Sequence, residues 1–272
     1  MSLDALVTSQ NLVQPGDDII DGSQSARRKF FCGRGNRQAT DFCSSCDAHE
    51  KAICSELEGD ELLEFGKFVT HKKFSAGQSL FAEFDDAKYF YTVVSGDVRL
   101  SRFMDDGRRQ ILGFKSTGDF IGLSASGHYT CDAEAISDTL ICQFSVANLE
   151  ATLEESHAIK SRLLQMMETE VIALQNHMLL LGRKTPLEKI SNFLIGRIAK
   201  AEGEGEVDYT KPVDLSLPMS RTDIADYLGL TIETVSRTFT KLRKQDVIAL
   251  ETAQNVRVLD YYQLEALANG EN

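Results

Sequence analysis

Between positions 164 and 181, six apolar side chains recur at alternating gaps of three and four: Leu164, Met167, Val171, Leu174, Met178 and Leu181. This is an a/d seam sustained over about two and a half heptads. A helix packed on its own chain's core carries a wider apolar stripe. The narrow seam therefore asks for a partner helix, and the same helix of a second copy is the expected one. Packing against the β-rich region that precedes it is the competing reading. The helical pattern as a whole runs from about Asn148 to Leu181, and residues 148–182 are read as a dimerisation helix.

The chain has 272 residues and 42% hydrophobic content, enough for about two domains. No run approaches 18 apolar residues, so no membrane-spanning helix is expected. The first residues lack a basic stretch followed by an apolar block and do not read as a secretory signal. A cytoplasmic protein is implied, where thiols stay reduced and clustered cysteines more often hold metal than form bridges. Net charge is −12, from 29 Lys and Arg against 41 Asp and Glu. Such a field repels phosphate, so a nucleic-acid site needs a local excess of positive charge.

Residues 1–30 are polar and aperiodic and read as a disordered leader. Residues 31–60 form a cysteine-rich segment. Across 61–147, short β-rich runs (SLFAEF, YFYTVVSG, VRLSRF, QILGF, DFIGL, TLICQFSV) alternate with turns at Gly77, Gly96, Gly107 and Gly118. Many short strands with glycine turns predict an antiparallel β-roll of the jelly-roll, cupin-like kind. Residues 183–272 open with a helix at Pro186 that runs to about residue 201. The stretch AEGEGEVDYTKP then reads as an acidic loop. The fold class is α+β.

The segment MSRTDIADYLGLTIETVSRTFTKLRKQDVIAL, 219–250, reads as a helix-turn-helix. Ser220 and Asp223 form an S-x-x-D cap, and Ile224, Leu228 and Leu230 are the apolar positions of a short helix. Gly229 supplies the turn. Thr231 caps a second helix in which Val235, Phe239 and Leu242 face inward. Its outward face carries Glu233, Thr234, Ser236, Arg237 and Lys241, residue types that read base edges in the major groove. Arg237, Lys241, Arg243 and Lys244 stand there against one acid, Glu233, which answers the charge objection locally. VIALETAQNVRVL follows as a two-stranded wing, so double-stranded DNA is the expected partner.

The stretch CSSCDAHEKAIC places Cys43, Cys46 and Cys54 at C-x2-C-x7-C spacing. Soft thiolates in this pattern suit an iron–sulfur cluster or zinc. Cys₄ zinc sites usually come as two CxxC pairs, and only one is present. Lys51, Arg34 and Arg37 are cations near enough in sequence to favour deprotonation. Six cysteines occur in all, and Cys32 and Cys131 read as inert or spare thiols. The five histidines, His49 among them, are scattered. No Ser–His–Asp set, phosphate-binding glycine loop or paired acid suggests an enzyme.

A β-roll, a long dimer helix and a winged helix-turn-helix, in that order, resemble the cyclic-AMP receptor protein superfamily of transcription factors. GLTIETVSR is similar to the recognition helix of its FNR branch, the fumarate and nitrate reduction regulators, FnrN- and FixK-like. That branch carries E-x-x-S-R, here Glu233, Ser236 and Arg237. The resemblance implies a homodimeric regulator that reads TTGAT-type inverted repeats and works with RNA polymerase. It implies an oxygen-labile [4Fe–4S] cluster held by Cys43, Cys46, Cys54 and one roll cysteine, for which LICQFSV points to Cys142. Seven residues in the second gap, rather than five, look like a variant form. Cyclic-nucleotide members carry Gly-Glu and Arg-Ser in the roll. Here Leu123 follows Gly122 and Cys131-Asp132 stands near the second pair, so no cyclic nucleotide is expected. Some FNR-type members hold an acid on the inner face of the dimer helix; Leu174 stands there. The alternative is a constitutive DNA-binding regulator with structural zinc on the cysteines.

Overall fold

The computed structural model describes residue 43 and residues 45–202, 208–252 and 254–271. The expected leader, Cys32, Arg34, Arg37 and the middle of the acidic loop lie outside the described residues. A 3-10 turn at His49–Lys51 and helix α1 (Gly59–Gly66) precede eight strands, β1 (Thr70–Phe74), β2 (Ser79–Phe81), β3 (Tyr89–Ser95), β4 (Val98–Phe103), β5 (Arg109–Lys115), β6 (Phe120–Ile121), β7 (Asp132–Ala135) and β8 (Thr139–Ser145). They form two four-stranded antiparallel sheets, in order β1-β8-β3-β6 and β2-β7-β4-β5. Between them Phe81, Tyr91, Val93, Val98, Ile121, Tyr129, Ala133 and Ile141 fill the interior. Phe81 stacks on Tyr129 at 3.8 Å between centroids.

Two strands escape a pattern-based reading for physical reasons. THKKF, β1, is an edge strand with a polar, largely exposed sequence. DAEA, β7, lies inside its sheet, but Ala133 and Ala135 are fully buried and small, and so carry no β-branched signature.

The expected single helix after the roll is two. Helix α2 spans Val146–Glu155 and α3 spans His157–Arg183. Ser156 separates them in an extended conformation, and its hydroxyl accepts the Ile159 amide as the N-cap of α3. A serine that caps locally competes with continued helix, and here the cap wins. Helix α4 (Pro186–Glu202) matches its expected start.

The C-terminal unit consists of β9 (Val213–Ser216), α5 (Arg221–Leu228), α6 (Ile232–Lys244), β10 (Ile248–Leu250), β11 (Asn255–Val258) and α7 (Tyr261–Ala268). The capping box forms as expected. Ser220 Oγ accepts from the Asp223 amide at 3.1 Å, and Asp223 Oδ2 accepts from the Ser220 amide at 2.9 Å. Gly229 turns the chain at φ 61°, a left-handed conformation that glycine adopts without steric cost. The wing closes as a three-stranded sheet, β10-β11-β9.

This unit is not hung from the roll by a tether. Ile111 and Phe114 of β5 share one buried cluster with Ile190, Phe193, Ile224, Leu228, Val235 and Phe239. At its rim lies Asp223, 7% exposed. Its Oδ1 accepts from Arg99 and from Arg109, each at 2.7 Å. Arg109 also pairs with Asp226 at 2.7 Å, and Arg99 with Glu134 at 2.8 Å. Burial pushes the Asp223 carboxyl up, but the Ser220 hydrogen bonds and the charges of Arg99 and Arg109 outweigh it and hold it below the usual range.

Replacing Asp223 with Ala leaves two half-buried guanidinium groups short of a counter-charge, and we expect a loss of about 3–5 kcal/mol in urea unfolding. Because the folded value is depressed, the wild-type contribution is complete above about pH 4 and fades as pH falls through the folded value. Asp223→Ala should therefore flatten the acid limb of stability against pH.

Candidate nucleic-acid interface and thiol centre

Helix α6 presents two faces. Val235, Phe239 and Leu242 are buried, whereas Glu233, Ser236, Arg237 and Lys241 are exposed and Thr234 is half-buried. Thr231 caps the helix by accepting the Thr234 amide at 3.2 Å, which fixes Thr234 in the first turn. The Glu233 carboxyl is held below its usual range by its own backbone amide and the Thr231 hydroxyl, so it stands ready as an ionised acceptor. All five positions expected to face DNA thus lie along one side of one helix.

Sequence reasoning missed Arg221. Its guanidinium stacks on the Phe239 ring at 3.4 Å, and burial pushes its pKa down to about 10. It joins α5 to α6 from within, a cation–π contact between the two helices of the motif. A lone arginine at a helix start carries no sequence signal for such a contact.

The cysteines are placed by β8. Alternation along this strand turns Ile141 into the roll interior and sets Leu140, Cys142 and Phe144 on the outer face. That outer face is covered by the cysteine segment. Cys43, Ile53 and Leu57 share a cluster with Phe144, Phe90 and Leu62, and Cys54 and Cys142 pack against it. Cys46 and Cys142 pack against Ala48, Val94 and Leu140 beside it. Cys131 lies elsewhere, against the roll interior. Cys43, Cys46, Cys54 and Cys142 therefore converge on one face of one strand.

The segment is wound in tight turns. The Cys43 carbonyl accepts the Cys46 amide at 3.4 Å, the Cys46 carbonyl accepts His49 at 3.0 Å, and the Cys54 carbonyl accepts Leu57 at 3.1 Å. None of the five described cysteines is in a disulfide. Burial pushes the Cys43 thiol up to about 11 and Cys54 to about 12, with neighbouring cysteines adding to both; Arg162 opposes the rise at Cys54. Burial likewise raises Cys46. Among the described residues no group of three or more His, Cys, Asp or Glu side chains is placed to hold a metal ion. The arrangement is a convergence of neutral thiols, whose donor chemistry fits a soft metal centre that displaces their protons.

The seam faces outward. Leu164, at 60% exposure, and Met167, Val171, Leu174 and Met178 are exposed, whereas Leu181 is half-buried and meets the turn at Gly229. The roll takes a different stripe of α3, Ile159, Leu163 and Met166. Packing against the roll therefore does not account for the seam.

Two family descriptions match the chain. "Bacterial regulatory proteins, crp family" matches residues 217–248, and "Cyclic nucleotide-binding domain" matches residues 71–156. The nitrogen fixation regulation protein FixK of Bradyrhizobium diazoefficiens is 41% identical over 230 residues, covering 84% of this chain and 94% of its own. The transcriptional activator protein FnrL of Cereibacter sphaeroides is 34% identical over 223 residues, covering 82% and 90%. The structure of FixK2 from Bradyrhizobium japonicum superposes with a TM-score of 0.66 at 34% identity, over 73% of this chain and 96% of that one.

Arg237 is exposed in the N-terminal half of α6, on the side that carries Glu233 and Ser236, and a guanidinium can grip a guanine edge with two donors. Arg237→Ala should weaken binding to a specific duplex by roughly 1–3 kcal/mol in fluorescence anisotropy and leave non-specific binding nearly unchanged.

Proposed function

We propose that this chain, which belongs to the Crp/Fnr family of bacterial transcription regulators, is a homodimeric oxygen-responsive member whose DNA binding is set by a [4Fe–4S] cluster on Cys43, Cys46, Cys54 and Cys142. The observation that carries this reading is the convergence of those four thiols on the outer face of β8. Bound there, the cluster would supply four iron–thiolate bonds and an oxygen-labile centre. The chain's own residues do the rest. Cys43, Cys46 and Cys54 would hold such a cluster from the cysteine segment and Cys142 from β8, and the same packed face holds Ile159 and Leu163 of α3. The orientation of α3 sets the seam, and the paired seam places two α6 helices about 34 Å apart for an inverted repeat. Glu233, Ser236 and Arg237 suit a TTGAT-type half-site, with Arg237 on the guanine and Glu233 on the opposite cytosine. RNA polymerase is the further partner that the activator names of the relatives suggest.

A cyclic nucleotide is not the signal in this reading. The interior of the roll is filled by Phe81, Tyr91 and Tyr129. Leu123 stands where the glutamate would be needed and Cys131-Asp132 near the place of the arginine–serine pair, and the Asp132 carboxylate already accepts the Glu83 amide at 2.8 Å.

Protein purified without oxygen should carry iron and acid-labile sulfide, about four of each per chain. Cys142→Ser should abolish both, and Cys131→Ser should leave them intact. Colourless, zinc-loaded, air-stable protein with unchanged operator affinity in air would instead establish the structural-zinc alternative.

Leu174 on the seam removes the like-charge repulsion that an acid at this position would bring. We expect the dimer to persist in air at micromolar concentration in sedimentation velocity. Leu174→Asp should weaken it by about 3 kcal/mol or more, because each copy then buries an unpaired carboxylate.

A further inference from the structure

We propose that Arg162 is the positioning residue that couples the state of the cysteine segment to the seam of α3. The proposal rests on the ligand assignment above and names the mechanical link which that assignment leaves open. Helix α3 divides into three adjacent strips. Ile159, Leu163 and Met166 face the cysteine core. Leu164, Met167 and Val171 form the exposed seam. Arg162 stands on a third strip and reaches across to the cysteine segment. Its Nη2 donates to the Lys51 carbonyl at 2.9 Å and its Nε to the Ala52 carbonyl at 3.3 Å. These two carbonyls end the 3-10 turn between Cys46 and Cys54.

A guanidinium is suited to this task. Its rigid fork spans two successive carbonyls, where an ammonium is a point charge on a flexible stem. The turn is also backed on its other side. Gly118 of the roll, at φ 90°, lies so close that a Cβ there would overlap the Lys51 Cβ. The next residue, Asp119, is anchored by Lys200 of α4 at 2.7 Å. The turn is thus held between an unyielding roll loop and the Arg162 fork. When Cys54 and Cys46 are drawn toward β8 or released from it, Lys51 has no room to slide past Gly118. The displacement passes through Arg162 into α3, two residues before Leu164. The cation also acts on Cys54, and it would stand beside the net negative charge of four thiolates around a cluster.

The experiment measures the dimer dissociation constant by sedimentation, in the presence and absence of the metal centre, for wild type, Arg162→Ala and Arg162→Lys. Iron and sulfide contents are assayed in parallel. Wild type should dimerise about tenfold or more tightly when loaded, within the usual range of coupling between sites. Arg162→Ala should retain iron and sulfide while this ratio falls close to one. Arg162→Lys, which keeps the charge but not the fork, should restore only part of the ratio and gives the answer if the alanine variant does not fold. Amide hydrogen exchange of residues 52–57 should quicken in both variants. An Arg162 variant with full cluster content and the wild-type ratio overturns the proposal. Wild type without iron or sulfide instead defeats the cluster assignment, and the same ratio measured with zinc on the cysteines then decides the role of Arg162.

Discussion

Strand β8 has two faces, and the rest of the molecule is arranged by that fact. Ile141 closes the roll interior, while Leu140, Cys142 and Phe144 on the opposite side form the floor on which the cysteine segment, α1, α2 and α3 lie. A one-residue slip of β8 against β1 and β3 would carry Cys142 into the roll and Ile141 out of it. The register, Thr92 with Cys142 with His71, is therefore a precondition for any shared chemistry among the four thiols.

The second organising contact is electrostatic. The chain as a whole is acidic, at −12, yet its two best-buried carboxylate–arginine contacts lie between the roll and the DNA-reading unit. Asp223 serves both sides of that boundary. One oxygen completes the cap of α5, and the other receives Arg99 and Arg109. The orientation of α5, and through Gly229 that of α6, is thereby referenced to β4 and β5. The exposed side of α6 carries Arg237, Lys241, Arg243 and Lys244 against the single acid Glu233.

Much of this was legible in the sequence because it is local. Caps at Ser220 and Thr231, the turn at Gly229, the two faces of α6 and most of the roll strands depend on neighbours within a few positions. The seam was legible for the same reason, since its 3-4 spacing is a property of one helix. What was not legible depends on long-range placement. The break at Ser156 is a contest between a cap and helix propagation that the apolar pattern does not decide. Strands β1 and β7 lack the usual residue types because one lies at an edge and the other in a crowded interior. Arg99, Arg109, Arg162 and Arg221 look like ordinary surface charges until the fold gives each a partner. For the thiols, spacing alone left zinc and a cluster open, and that all four pack on the outer side of β8 depends on long-range placement that spacing does not reveal.

The core that joins Ile111 and Phe114 to the C-terminal helices bears on how such a protein can be re-engineered. Sensor and reader modules are often treated as exchangeable parts joined at a hinge. Here a chimaera cut between α3 and α4 would strip apolar surface from both halves and strand the arginines of the β4–β5 hairpin. A functional hybrid would have to transplant that hairpin together with the reader, because the two descend from a common packing solution.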